Sequence, residues 1–74
     1  MKVELVMGNR QMHGEFRDVA TTIRFVGAMH MEEAVRHARD DTQLSRWHSE
    51  QATILMRGLD SLIAQVTAER AKDK

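Results

Sequence analysis

The chain is organised around residues 43–72, which read QLSRWHSEQATILMRGLDSLIAQVTAERAK. When these residues are placed about 100° apart, the apolar ones form a narrow stripe, which predicts a long amphipathic helix. The stripe contains Leu44, His48, Leu55, Leu59, Leu62 and Val66. Adjacent apolar residues widen it to about half the circumference, which is more than one partner helix can cover. This helix is therefore expected to need two neighbours.

The composition indicates one small domain, residues 1–74, without disulfides. The chain has 74 residues and contains neither cysteine nor proline. A domain of this size usually needs oligomerisation, a metal or very regular packing to be stable. The absence of cysteine excludes thiolate metal sites, and the absence of proline suits long uninterrupted helices. Because the wide apolar face lies in such a short chain, a homodimer is expected.

Charge and hydropathy argue against two classes of partner. The formal net charge is zero, which disfavours a protein that holds nucleic acid mainly through its phosphates. The apolar-leaning run at residues 3–7 is interrupted by Glu4 and is too short for a signal peptide or a membrane span. A cytoplasmic location without membrane association is therefore expected.

Residues 1–14 are expected to form an irregular arm that packs on the helices, and an ordered β-ribbon is the alternative. Apolar and polar side chains alternate between Lys2 and Met7, which is a weak strand signal. Gly8 and Asn9 could close a two-residue hairpin. Its register would pair Leu5 with Met12 and Val3 with Gly14.

Residues from about 15 to 40 form another long helical pattern, with Ile23 on its apolar face. Within it, residues 21–26 (TTIRFV) are rich in β-branched side chains and are also compatible with a strand. The helix is favoured, because it then matches the second helix in length. The two helices, about residues 15–40 and 43–72, could lie antiparallel along their whole length.

The predicted fold class is all-α: an antiparallel helical hairpin with a short N-terminal arm or β-ribbon, dimerising into a bundle. Gly27 is expected level with Gly58, where the two helices approach closely. Asp40 or Thr42 is expected to cap the second helix. The core or dimer seam is assigned to Ile23, Leu55, Leu59, Leu62 and Val66.

Histidine and carboxylate side chains are the remaining candidates for a metal site. His30, Glu33 and His37 share a helical edge, and His48 is expected near them, as zinc or nickel would require. Hydrogen-bonded histidines are the favoured interpretation, because His30 and His37 are further apart than paired ligands usually are. No metal or other cofactor is predicted. An enzyme is not expected either, because no nucleophile with an acid–base partner is recognisable.

Trp47 and Arg46 are predicted to bind a partner protein, because exposed tryptophan and arginine are common hot spots. The opposing interpretation is that Trp47 only packs on the edge of the bundle. In a helix, Phe25 and Met29 point away from the apolar stripe, and large apolar side chains on a polar face call for cover. These two residues are the predicted supporting contacts.

These features favour a small protein–protein interaction module that dimerises and occupies the surface of another protein. The alternative is a small nucleic-acid-binding regulator, of helix-turn-helix or ribbon-helix-helix type if residues 21–26 are a strand. Zero net charge counts against this alternative.

The proline-free, cysteine-free helical hairpin, with Arg46 and Trp47 beside the turn after Asp40, Asp41 and Thr42, resembles small phage-encoded host-takeover proteins. It looks most like the anti-activators of Pseudomonas phages that block LuxR-type quorum-sensing regulators. The resemblance is one of architecture and covers about the whole chain. It implies a dimeric inhibitor of a host regulatory protein, and no residue role beyond the contact expected at Trp47.

Overall fold

The computed structural model describes residues 1–72, which form a β-hairpin followed by two antiparallel helices. The hairpin consists of β1 (Lys2–Met7) and β2 (Arg10–Glu15), and the helices are α1 (Phe16–Arg36) and α2 (Thr42–Lys72). The hairpin packs on the helix pair, so the chain has two layers with one core between them. No helix within residues 1–72 is long and apolar enough to cross a membrane.

The N-terminal segment shows that the predicted all-α fold class was wrong, because β1 and β2 make this a mixed α/β fold. Gly8 has a φ of 61° at the turn, a backbone conformation that glycine adopts without steric cost. The strands have the register of the alternative prediction, which pairs Leu5 with Met12 and Val3 with Gly14. An isolated two-stranded hairpin is marginal in water, so the helices must supply the surface that stabilises it.

The core forms where the inner face of β1 meets both helices, and Ile23 and Leu62 are fully buried at its centre. The other buried members are Val3, Leu5, Met7, Val19, Ala20, Leu55, Leu59 and Val66. All five residues predicted for the seam therefore lie in the core of a single chain. One of the two neighbours that α2 requires is α1, and the other is the chain's own β-hairpin.

The α1 helix includes residues 21–26, so this stretch is helical, as predicted. Its β-branched side chains do not prevent a helix, because Ile23 is buried in the core and tertiary packing overrides a weak local preference. The ribbon-type alternative required a strand at these positions. α1 ends at Arg36, earlier than the sequence predicted, and residues 37–40 form a turn.

The α2 helix is capped by Asp41, and not by Asp40 or Thr42 as predicted. The Oδ1 atom of Asp41 accepts a hydrogen bond of 3.0 Å from the backbone N–H of Leu44. Asp41 directly precedes the first helical residue, where a carboxylate can reach the unpaired N–H groups of the first turn. The cap therefore lies between the two residues that the sequence predicted.

The two helical glycines were predicted to face each other, and the structure places them in different environments. Gly58 lies beneath the β-hairpin, where a Cβ would stand 2.5 Å from Sδ of Met7 and 3.1 Å from Cδ2 of Leu5. If a Cβ were added at Gly27, no atom outside the neighbouring helix backbone would lie within 4 Å of it. Gly58 therefore allows β1, and not α1, to approach α2 closely, because the hairpin occupies that side of α2.

We expect Asp41→Ala to lower the free energy of unfolding by about 1 kcal/mol, because α2 loses the acceptor for its first-turn N–H. Urea unfolding followed by circular dichroism measures this change. Asp40→Ala is the matched control, because the Asp40 carboxylate is exposed and lies near only the His37 ring. The control should change stability by less than about 0.5 kcal/mol. Equal losses in both variants would contradict the assignment of the cap.

Gly58→Ala should destabilise the fold, even though alanine favours helices, because the new methyl group overlaps Met7 and Leu5. Overpacking of this kind typically costs about 1–3 kcal/mol. Urea unfolding of the wild type, both single variants and Met7→Ala/Gly58→Ala tests the cause. In the Met7→Ala background the methyl group has more room, so the loss should shrink or disappear. The same loss in both backgrounds would show that Met7 is not the obstruction.

Candidate protein-binding surface

Trp47 lies in the second turn of α2, near the connection between the helices, and its side chain is 47% exposed. The indole contacts two imidazole rings edge-on. Its ring centroid is 5.6 Å from that of His30 and 4.9 Å from that of His48, with interplanar angles of 79° and 76°. Since His30 belongs to α1 and His48 to α2, both helices hold the indole in position.

A hydrogen bond of 2.9 Å joins the Nδ1 atoms of His30 and His48 across the helix pair. One ring must carry the shared proton and the other must accept it, so at least one of the two Nδ1 atoms is unprotonated. His37 stacks on His48 with their ring centroids 6.4 Å apart. We call Trp47, His30 and His48 together the Trp47 surface.

Burial is the main cause that lowers the pKa of His30 from its ordinary value of 6.5, because a partly buried ring is poorly solvated when charged. The positive charges of His48, when protonated, and of Arg10 lower this pKa further. Arg10 begins β2, so the turn of the hairpin brings a third element towards this cluster. His30 therefore presents a neutral ring to Trp47 at pH 7.

His37 is engaged by carboxylates near the end of α1. Its Nε2 lies 3.3 Å from Oε2 of Glu33, and its Nδ1 lies 3.6 Å from Oδ1 of Asp40. The possible metal ligands are thus divided between two separate contacts, His30 with His48 and His37 with Glu33. Within the part of the chain that the structure describes, no group of three histidine, aspartate or glutamate side chains could hold a metal ion.

The four predicted partner-binding residues do not form one surface. Arg46 lines a separate depression of about 360 Å³, together with Ile54 and Arg57. Phe25 and Met29 lie one turn apart on α1, with 67% and 52% of their side chains exposed. Phe25 is five residues from His30 and therefore points about 140° away from it around α1. Trp47 is the only one of the four for which the structure shows a contact with both imidazoles.

A second apolar surface, which the sequence did not indicate as a site, is an open groove of about 520 Å³ between the helices. We call it the Met31/Met56 groove. The remaining lining residues are Arg24, Gly27, Ala28, Ala52, Thr53, Arg57 and Asp60. Met56 lies about 160° from Gly58 around α2, so the groove is on the side away from the β-hairpin. The sequence did contain a sign of this groove. Gly27 and Met31 are four residues apart, as are Ala52 and Met56, so each pair lies on one face of its helix.

Comparison with known proteins gives no family for this chain, because no protein-family model, curated protein or solved structure matches it. The resemblance to phage anti-activators therefore stays a prediction. The geometry of the Trp47 surface and of the Met31/Met56 groove is the basis for assigning a function.

The free energy of unfolding should fall as the pH falls below about 6.5. The folded state disfavours protonated His30, so the unfolded state binds more protons in this range. The contribution of His30 is therefore present above pH 6.5 and is lost as the pH falls through the lowered pKa of the folded state. Urea unfolding between about pH 7.5 and 5.5 measures this dependence.

The control for this dependence is a second histidine outside the cluster. His30→Gln should flatten the pH profile, whereas His13→Gln should leave it unchanged, because His13 is exposed on β2. A profile that keeps its slope in His30→Gln would contradict this assignment.

Proposed function

We propose that this protein is a protein–protein interaction module that inhibits a partner by occupying its surface, with Trp47 as the central contact. The observation that carries the proposal is the half-exposed indole, held edge-on by one imidazole from each helix. A tryptophan held in this way can enter an apolar pocket of a partner with little loss of conformational entropy. Tryptophan is also among the residues that contribute most to binding at protein interfaces.

The charges around Trp47 indicate what the partner's surface should offer. His30 is neutral at pH 7, so the indole and the ring beside it form an uncharged centre. Arg10 lies close enough to His30 to lower its pKa. The matching site is an apolar pocket with carboxylates at its rim, because arginine side chains pair best with carboxylates.

The resemblance to phage anti-activators suggests a particular class of partner. A LuxR-type transcriptional activator is the host regulatory protein that such an inhibitor would bind. Binding at the Trp47 surface would then block the activator by covering a surface it needs for its own contacts. A purified LuxR-type activator is thus the first partner to test.

We expect Trp47→Ala to weaken partner binding by about 2 kcal/mol or more, because an anchor of this kind is removed. The same substitution should cost the fold less, since nearly half of the side chain is already in solvent. Binding of a purified LuxR-type activator by isothermal calorimetry, and urea unfolding of the variant, measure the two effects separately. If the fold is lost and binding follows only the folded fraction, Trp47 is a core residue and the proposal fails.

Phe25→Ala is the matched control, because Phe25 is an exposed aromatic residue on a different face of α1. It should leave binding unchanged. Proteins captured from bacterial lysate by the wild type and by each variant extend the comparison to other partners. A partner that depends on Phe25 and not on Trp47 would move the site to the outer face of α1. Nucleic acid recovered with the wild type, with affinity falling steeply with salt, would instead support the nucleic-acid-binding alternative.

A further inference from the structure

The Met31/Met56 groove leaves the second side of the helix pair uncovered. Its floor is formed by small residues, Gly27, Ala28 and Ala52, and the two methionine side chains stand half-exposed along it. Methionine is flexible and polarisable, and it packs readily into irregular apolar surfaces. Exposed methionines beside small residues are therefore suited to close packing against another chain.

The area of the chain indicates how much surface this side could bury. A folded monomer of 8.5 kDa is expected to expose roughly 4,700 Å², whereas this chain exposes 5702 Å². The excess of roughly 1,000 Å² is comparable to the surface that one partner buries in a standard protein interface. The molecule is elongated, measuring 52 × 20 × 16 Å, and long helices that are covered on one side contribute to this excess.

The glycine at position 27, in the middle of α1, also faces this side of the helix pair. Glycine in the middle of a helix is unfavourable relative to alanine. At Gly58 the hairpin leaves no room for a Cβ, whereas at Gly27 no neighbouring atom among residues 1–72 excludes one. A second chain packed closely into the groove would explain glycine at this position, because a Cβ on residue 27 would keep the two backbones apart.

Three charged side chains line the groove, and one of them, Arg57, adds a positive charge to the α2 wall. Arg24 lies on the α1 wall and Asp60 on the α2 wall. Neither takes part in an ion pair among the residues that the structure describes. A cation on one wall and a carboxylate on the other, as Arg24 and Asp60 are, can form two equivalent ion pairs when the groove meets its own copy across a two-fold axis. The zero net charge also means that two copies do not repel each other at long range.

We propose that a second copy of this chain occupies the Met31/Met56 groove, related by a two-fold axis that runs parallel to the helices. This axis lays α1 of each chain antiparallel to α2 of the other and keeps each residue at the same level along the helices. Arg24 then lies opposite the partner subunit's Asp60, and the same pair forms again on the other side of the axis. The methionines of each chain pack over the small residues of the other.

Analytical ultracentrifugation at micromolar to millimolar concentration tests this dimer. The wild type should sediment as a dimer, and Met56→Glu should raise the dimer dissociation constant about 100-fold or more, because it buries an unpaired carboxylate. Met29→Glu is the matched control, since Met29 is as exposed as Met56, at 52% and 47%, but lies outside the groove. It should remain dimeric. Circular dichroism of both variants confirms that the fold is intact.

Charge reversal tests the symmetry. Arg24→Asp alone places two carboxylates opposite each other, and Asp60→Arg alone places two guanidinium groups opposite each other, so each variant should be monomeric. An equimolar mixture of the two should form heterodimers, because each chain then meets the opposite charge in its partner. An attraction between Arg24 and Asp60 within one chain would not be restored by mixing, so this result is specific to the interface.

Gly27→Ala separates the fold from the interface. Measured at a dilution where the protein is monomeric, it should raise the midpoint of thermal unfolding, because alanine favours the helix. At high concentration it should weaken the dimer. A wild type that stays monomeric at millimolar concentration would overturn the proposal, as would a dimer that all the groove variants leave intact. Trp47→Ala should remain dimeric, so a failure here is distinguishable from a failure of the proposed function.

Discussion

The fold depends on the packing of the apolar face of β1 against the helix pair. Val3, Leu5 and Met7 point to one side of the strand and are buried in the core. Gly58 permits this contact, because a Cβ at that position would overlap two of these three side chains. Neither layer is stable by itself, since a two-stranded hairpin is marginal in water and helix stability comes mainly from burying an apolar face. Each layer therefore stabilises the other.

This packing makes the two sides of the helix pair unlike each other. The hairpin covers one side, and residues 1–72 contain no further element that covers the other. The open Met31/Met56 groove lies on this second side of the helix pair. The wide apolar face of α2, which from sequence suggested two neighbours, is covered by α1 and the hairpin. What remains of the argument for a dimer rests on the groove alone.

The connected end of the helices is organised by polar rings. The hydrogen bond between His30 and His48 is directional, so it fixes the orientation of both imidazoles and of the indole that lies against them. Burial lowers the pKa of His30 and so disfavours its charged form. This arrangement presents a large, half-exposed aromatic side chain that packs on two other rings, which is a property expected of a binding surface and not of a core. The groove and the Trp47 surface are thus separate features with separate physical origins.

The sequence by itself determined both helices and the residues of their buried faces. A helix that packs on one side repeats its apolar residues every three or four positions, and Ile23, Leu55 and Leu62 belong to such repeats. It also determined the register that the hairpin would have, through the turn at Gly8. It did not determine that the hairpin forms, since this depends on the apolar surface that distant helices offer. Only the tertiary structure decided that Trp47 meets His30 and His48 while Phe25 and Met29 lie elsewhere. The rotation of each helix and its level along its neighbour set these contacts, and neither is encoded in the spacing of residues along one helix.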